Sequence, residues 1–286
     1  VGANVPLLWL RVDPHQEWAM RVRWTGRPDA RWSGQPEFMC REQLEHDRDV
    51  ASQQEAAEAL ATFPTHSAID ALMWAVYDSS VFFRVRTAAI ASLVLLIQPA
   101  TDYSALTKLM RYFRETYCEG GQVRPNDFSD FSSYHVLKSL IEAIACARDA
   151  YGHSPSEAVA LLLALLDDND NSTNEYDDGY YLGAIVRLLA STRTANDGAM
   201  DAEGVVMQIR RHLRLDALLQ SHGRVLTRCC LQALTQLELA GRRSVNWQFY
   251  WRYERDSSEP LLRLTAADCM MRVCLLLHLP FEPLSG

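Results

Sequence analysis

The chain has 286 residues, of which 48% are hydrophobic, and it carries a formal net charge of −8 with a pI near 5.5. This composition excludes disordered and collagen-like chains, and the negative charge argues against a protein that binds nucleic acid over its whole surface. The longest apolar runs, such as VALLLALL at 159–166, are far shorter than the roughly 20 residues of a membrane-spanning helix, so we expect no membrane association. The chain begins with Val and not Met, and we interpret it as a segment of a longer protein.

Residues 7–24 alternate between apolar and other side chains, which is the period of half-buried strands. Leu8, Leu10 and Val12 share one face of a first extended segment, which ends at a turn-forming Asp-Pro pair. After the turn, the alternation resumes at Trp18, Met20, Val22 and Trp24. The pattern predicts a short β-hairpin, followed by an exposed connection rich in Gly, Pro and Arg at 25–38.

Almost everything after residue 40 has the apolar period of an α-helix, with short breaks and no strands between. The predicted helices lie near 43–61, 66–78, 81–97, 102–117, 130–150, 155–167, 178–192, 201–217, 220–240 and 259–279.

Two of these helices share a weak repeat. RVRTAAIASL (84–93) and LRLTAADCMM (262–271) have a common Thr-Ala-Ala core. An arginine lies just before this core, and a large apolar residue lies four positions after its second alanine. Small residues on one face allow a second helix to approach closely, as in HEAT or armadillo repeats. The sequence therefore predicts a mainly α fold, a HEAT/ARM-like α-solenoid preceded by the hairpin; an irregular helical domain is the alternative.

Motifs for catalysis or metal binding are missing from the sequence. There is no HExxH, no G-x-S-x-G and no glycine-rich phosphate loop. Glu42 and His46 lie four apart but supply too few ligands for zinc. The loop at 167–178 resembles a calcium loop, yet Ser172 stands where the sharp turn needs glycine. We therefore expect no enzyme, no cofactor and no small-molecule substrate.

Clustered arginines are the candidate site residues. A predicted helix carries the stretch QIRRHLR, in which three arginines fall on roughly one face, and a later loop carries two more. Such clusters can contact nucleic-acid phosphates or an acidic partner, and they can also be exposed side chains paired with nearby carboxylates. The candidates are Arg210, Arg211, Arg214, Arg242 and Arg243.

Five stretches follow one another in a characteristic order. They are LLWLRVDPHQEW (7–18), QLEHDRDVASQQEAAEALATFPT (43–65), FFRVRTAAIASL (82–93), DFSDFSSYHVLKSLIEAIA (127–145) and LLALLDDNDNSTNEYDDGYYLGAIVRLLA (162–190). This ordered series resembles the TFIID subunit 2 family of TBP-associated factors. The resemblance covers most of the chain and thins after about residue 242.

The resemblance implies an architecture like that of the zinc aminopeptidases, in which a small β-sandwich precedes a helical, HEAT-like domain. It places residues 1–38 at the end of the sandwich and its linker, and 39–286 in the helical domain. It also implies a non-catalytic, nuclear scaffold that meets subunits 1 and 8 of TFIID and engages core promoter DNA through the whole complex. The alternative is the helical C-terminal domain of an active zinc aminopeptidase.

Overall fold

A computed structural model describes residues 7–15, 17–18, 34–194, 199–256 and 259–277. In these ranges the regular secondary structure is almost entirely helical. The helices form two compact units, which we describe separately. Unit 1 comprises the described residues up to Cys118 together with Asp130–Ala150, and unit 2 comprises Glu119–Ser129 and the described residues from Tyr151 onward.

The first predicted strand is wrong. Residues 7–11 form no strand, because a backbone N–H here is hydrogen-bonded to a side chain and not to the backbone of a neighbouring strand. The N–H of Leu10 donates to Oε1 of Gln35 at 2.7 Å. Arg11 then pairs with Asp47 at 3.3 Å and with Asp49 at 2.5 Å, so this extended segment is fixed to the first helices. The second predicted strand falls mainly in 19–33, outside the described residues.

Unit 1 consists of three helix pairs. Each odd-numbered helix packs on the next even-numbered one, α2 and α6 both pack on α4, and α1 and α5 both pack on α3. This two-layer arrangement is that of a helical repeat. Of the small residues on the predicted inner face of α4, Ala89 and Ser92 are buried, whereas Ala88 is half-buried and Ala91 is exposed. The helices are α1 (Glu37–His46), α2 (Val50–Leu60), α3 (His66–Tyr77), α4 (Phe83–Leu95), α5 (Ser104–Tyr117) and α6 (Phe131–Cys146).

The helix predicted at 43–61 is divided into α1 and α2. Asp49 is the N-cap of α2, and its Oδ1 accepts the N–H of Ala51 at 3.2 Å. Asp47 turns the chain by accepting the N–H of Asp49 at 3.0 Å. Aspartates compete with helix hydrogen bonds in this way, and an apolar period that continues across them conceals the break.

A short hairpin interrupts the helices, contrary to the prediction that no strand lies among them. Strands β1 (Cys118–Glu119) and β2 (Gln122–Val123) pair across Gly120 and Gly121, whose φ angles are +59° and +88°. A two-residue turn of this hand needs positive φ at both positions, which only glycine adopts freely. The Gly-Gly pair is the sequence signal for it.

Unit 2 has three further helix pairs, in which α7 packs on α8, α9 on α10 and α11 on α12. Helix α10 lies between α8 and α12 and contacts both. Helix α11 was not predicted; its Tyr250 is fully buried against α10 and α12. The helices are α7 (Ser156–Asp167), α8 (Gly179–Ser191), α9 (Ala199–Leu218), α10 (Val225–Leu239), α11 (Trp247–Asp256) and α12 (Pro260–Leu277).

Arginines near the start of a pair's second helix hold the end of its first helix. In α4, Arg86 donates to the carbonyl of Val76, in the last turn of α3, at 3.0 and 3.2 Å. In α12, Arg263 donates to the carbonyl of Glu254 in α11 at 3.0 Å. The carbonyls of a helix end need such donors, which gives the repeated arginine a structural role.

In the calcium-like loop at 167–178, asparagine oxygens accept hydrogen bonds from the side-chain amide of Asn126. Nδ2 of Asn126 donates to Oδ1 of both Asn169 and Asn171 at 3.0 Å, and its backbone N–H donates to the carbonyl of Asp170 at 2.8 Å. Asn169 in turn donates to Asp178 at 2.8 Å. Two of the oxygens that resembled metal ligands, those of Asn169 and Asn171, therefore accept hydrogen bonds from an amide between β2 and α6.

Candidate partner-binding cleft

Three of the five candidate arginines line one cleft in unit 2. Arg210 comes from α9, whereas Arg242 and Arg243 come from the loop between α10 and α11. The cleft has a volume of about 390 Å³. The other described residues that line it are Glu203, Val206, Ser244 and Asn246.

The loop after α10 turns Arg242 into this cleft. Gly241, at φ +69°, ends the helix in the left-handed conformation, and the N–H of Arg242 then donates to the carbonyl of Leu237 at 2.9 Å. Nη1 of Arg242 donates to the carbonyl of Thr192, just past α8, at 2.6 Å. One edge of the guanidinium is thus held in place before any partner arrives.

Arg243 is positioned by a buried carboxylate. Its Nη1 lies 3.4 Å from Oε1 of Glu238, whose side chain is completely inaccessible. The hydroxyl of Tyr250 donates to Oε2 of the same carboxylate at 2.8 Å, and Thr235 lies 3.0 Å from that hydroxyl. Burial raises the pKa of Glu238, while its hydrogen bond from Tyr250 and the charge of Arg243 oppose that rise.

Arg211 and Arg214 are not part of the cleft. Nη1 of Arg211 contacts Oδ1 of Asp167, in α7, at 2.6 Å, and Gln208 donates to the same oxygen at 3.0 Å. Arg214 is exposed on α9, one turn after Arg210. The three arginines are all exposed on α9, as expected for roughly one face, but they have different neighbours, and their role as contacts stays a prediction.

The turn from α9 to α10 is held by another buried acid. Asp216 accepts the N–H of Ser221 at 2.8 Å and Nε of Arg224 at 3.0 Å, and it also accepts the hydroxyl of Thr227. Burial alone would raise the pKa of Asp216, but the hydrogen bonds from Ser221 and Thr227 outweigh it and lower that pKa. This turn fixes α9, and with it Arg210, relative to α10.

Unit 2 has a second groove, which the sequence did not predict. It lies on the face of α8, α10 and α12, has a volume of about 350 Å³, and contains polar side chains from all three helices. The sequence signal was the presence of long polar residues on otherwise apolar helices. The polar and charged residues concerned are Arg187, Gln232, Thr235, Gln236, Asp268 and Arg272.

Chemically, the cleft suits an anion. Guanidinium groups supply several donors in fixed planes, and Ser244 and Asn246 add neutral hydrogen-bonding groups. Within the described ranges, no three His, Cys, Asp or Glu side chains are grouped so that they could hold a metal ion. Among the same residues, no helix is both long and apolar enough to cross a membrane.

A family model described as "TAF2-like, TPR repeats" matches residues 37–276 of the chain. The chain belongs to this family. The TAF2-like match supports an α-solenoid built from helix pairs, as predicted, although its description gives the repeats as TPR and not HEAT. Both types are stacked helix pairs, and the arrangement of α1 to α6 is common to them.

Curated relatives of this TAF2-like chain carry the name "Transcription initiation factor TFIID subunit 2". The chicken protein is 29% identical over 84% of the chain, the Drosophila melanogaster protein 28% over 93%, and the Schizosaccharomyces pombe protein 27% over 95%. The chain spans between 21% and 24% of the length of these three relatives. The aminopeptidase alternative receives no support from these comparisons.

Proposed function

We propose that the chain is a non-catalytic scaffold segment of a TFIID subunit, acting in the nucleus during initiation of transcription by RNA polymerase II. The family match over residues 37–276, joined by relatives named TFIID subunit 2, carries this proposal. The packing of the helix pairs is consistent with it, because stacked pairs present long grooves to extended partner segments.

The proposed partners are other TFIID subunits, with subunits 8 and 1 foremost, and promoter DNA is engaged through the whole complex. The proposed contact residues are Arg210, Arg211, Arg214, Arg242 and Arg243, which would meet an acidic partner or nucleic acid. Three of them lie together in the cleft, which supports a contact there.

We also propose that residues 1–38 belong to the end of a β-sandwich and its linker, and that 39–286 form the repeat domain. The start of the family match at residue 37 agrees with such a boundary. The zinc aminopeptidase reading would require an HExxH motif with a distant glutamate in the sequence that precedes this segment.

Co-purification tests the scaffold proposal directly. The tagged chain is expressed with subunit 8, with subunit 1, or with an unrelated nuclear protein, and crosslinking then maps the contacts. We expect retention of at least one TFIID subunit and crosslinks to the helix pairs. Retention of neither subunit, or equal retention of the unrelated protein, would contradict the proposal.

A mobility-shift assay tests direct DNA contact by the exposed arginines. Promoter DNA is titrated at about 150 mM salt, where nonspecific attraction is largely screened. If the arginines on α9 bind DNA, reversing Arg210, Arg211 and Arg214 to glutamate abolishes the shift. An unchanged shift removes that helix from the DNA-binding surface.

A further inference from the structure

We infer that the cleft lined by Arg210, Arg242 and Arg243 is a docking site for an acidic, extended protein segment and not for a nucleic-acid backbone. This inference rests on the proposed scaffold function, which it refines by assigning the ligand class of one site. Of the five proposed contact residues, it assigns the three that line the cleft to this segment and leaves Arg211 and Arg214 outside this site.

Two of the three guanidiniums are pre-organised. Arg242 donates a hydrogen bond to the carbonyl of Thr192 at 2.6 Å, whereas Arg243 is confined by an ion pair with Glu238 at 3.4 Å and by the ring of Phe249, 5.9 Å away. Ordering a long side chain costs conformational entropy, and two of the three guanidiniums have already lost it. An anion in the cleft therefore gains the charge interaction at a smaller entropic cost than it would at a free surface arginine.

One edge of the cleft is partly buried. The side chain of Arg243 is 15% exposed and that of Glu238 is 0% exposed, so this edge is shielded from water. Charge interactions are stronger in such surroundings than between solvated side chains, where salt screens them. Arg210 and Arg214 are both exposed on α9, but only Arg210 lies beside this shielded edge.

Among the described residues that line the cleft, Glu203 carries the one carboxylate, and it can accept a hydrogen bond. A polypeptide presents backbone N–H donors to such a group, whereas the phosphodiester backbone of DNA has no donor and is repelled by it. Ser244 and Asn246 can likewise pair with the amide groups of a peptide backbone.

The charge around the cleft also favours a short acidic segment. The chain carries a formal charge of −8, Arg211 already pairs with Asp167 at 2.6 Å, and Arg243 already faces Glu238 at 3.4 Å. A nucleic-acid track needs several unpaired cations in a row, because each neutralised phosphate adds to affinity. A compact group of three arginines is better matched to one or two carboxylates on a short segment.

Fluorescence anisotropy with defined probes tests the inference. The probes are a labelled peptide of alternating glutamate and serine, the same peptide with glutamine for glutamate, and a labelled DNA strand of equal charge. The chain is compared with its Arg210→Glu and Arg214→Glu variants. These two changes alter the net charge equally, on one helix, at exposed positions one turn apart.

We expect the glutamate peptide to bind more tightly than both the glutamine peptide and the DNA. Arg210→Glu should weaken that binding by about tenfold or more, as expected for loss of a charged hydrogen bond, and Arg214→Glu should change it less than about twofold.

Three outcomes would overturn the inference: no preference for glutamate over glutamine, an equal loss in both variants, or tighter binding of DNA than of the peptide. Co-purification with TFIID subunits uses none of these probes. A failure there, with peptide binding intact, would therefore count against the scaffold function and not against the cleft.

Discussion

Replacing Gly183 by alanine should push α8 away from α10. A Cβ atom at this position would lie 2.8 Å from Sγ and 3.1 Å from Cβ of Cys229. Carbon atoms in favourable contact are about 3.5–4.0 Å apart, so a gap of roughly 0.4–0.9 Å must open. Rotation of the Cys229 side chain can remove the sulfur contact but cannot move Cβ, and the backbones must therefore separate.

The expected change in the free energy of unfolding of Gly183→Ala is the sum of two opposing effects. Overpacking a tight contact destabilises by about 1–3 kcal/mol, whereas glycine to alanine inside a helix stabilises by about 1 kcal/mol. Gly204 is the matched control, because it lies within α9 and a Cβ there meets no atom within 4 Å. Gly204→Ala should show only the stabilising effect, so the two variants should differ by about 1–3 kcal/mol.

Urea unfolding followed by circular dichroism measures both variants, with hydrogen exchange on α8 and α10 locating the change. In the double variant Gly183→Ala/Cys229→Ala, part of the lost stability should return, since the nearest atom has gone; the Cys229→Ala variant alone completes the cycle. Equal stabilisation by Gly183→Ala and Gly204→Ala would refute the close packing of these two helices.

Other consequences can be measured in the same way. Ala89→Leu should destabilise by about 1–3 kcal/mol, because Ala89 is fully buried between helices; an unchanged melting temperature would place it at the surface. Arg86→Met should cost about 1–3 kcal/mol by leaving the carbonyl of Val76 and the hydroxyl of Tyr112 without their buried donor, and a stability equal to that of the parent would exclude this cap. Burial lowers the pKa of His212 below its ordinary 6.5, so the unfolded chain takes up the proton first as pH falls, and unfolding free energy should drop by at most about 1.4 kcal/mol per pH unit below 6.5. His212→Leu should flatten that part of the pH profile, and an identical slope in both proteins would assign the acid sensitivity elsewhere.

Most of the helices could be predicted from the sequence because the signal for each is local. Apolar spacing of three and four residues marks α3, α4 and α10 within a residue or two of one end. The division at Asp47 and Asp49 was missed, since the apolar period continues across it while the aspartates bond to the backbone. Helix α11 was not predicted, although Trp247, Tyr250 and Trp251 have helical spacing, because charged residues interrupt its short apolar pattern.

The strand predicted at residues 7–12 failed for a different reason. Alternation shows that a segment is suited to a sheet, but a strand exists only when another strand supplies its hydrogen bonds. Here Gln35 supplies one of them from a side chain, and Arg11 binds the aspartates that precede α2.

By itself, the sequence determined the helical class, the repeated arginine and the family resemblance, because residues close in the chain carry all three. Only the tertiary structure determines which arginines line the cleft. Arg210 and Arg242 are separated by a turn and the whole of α10, and they meet because Asp216 fixes that turn and Gly241 redirects the loop. The sequence around Arg210 does not distinguish it from Arg214, because the surroundings of both side chains are formed by other elements.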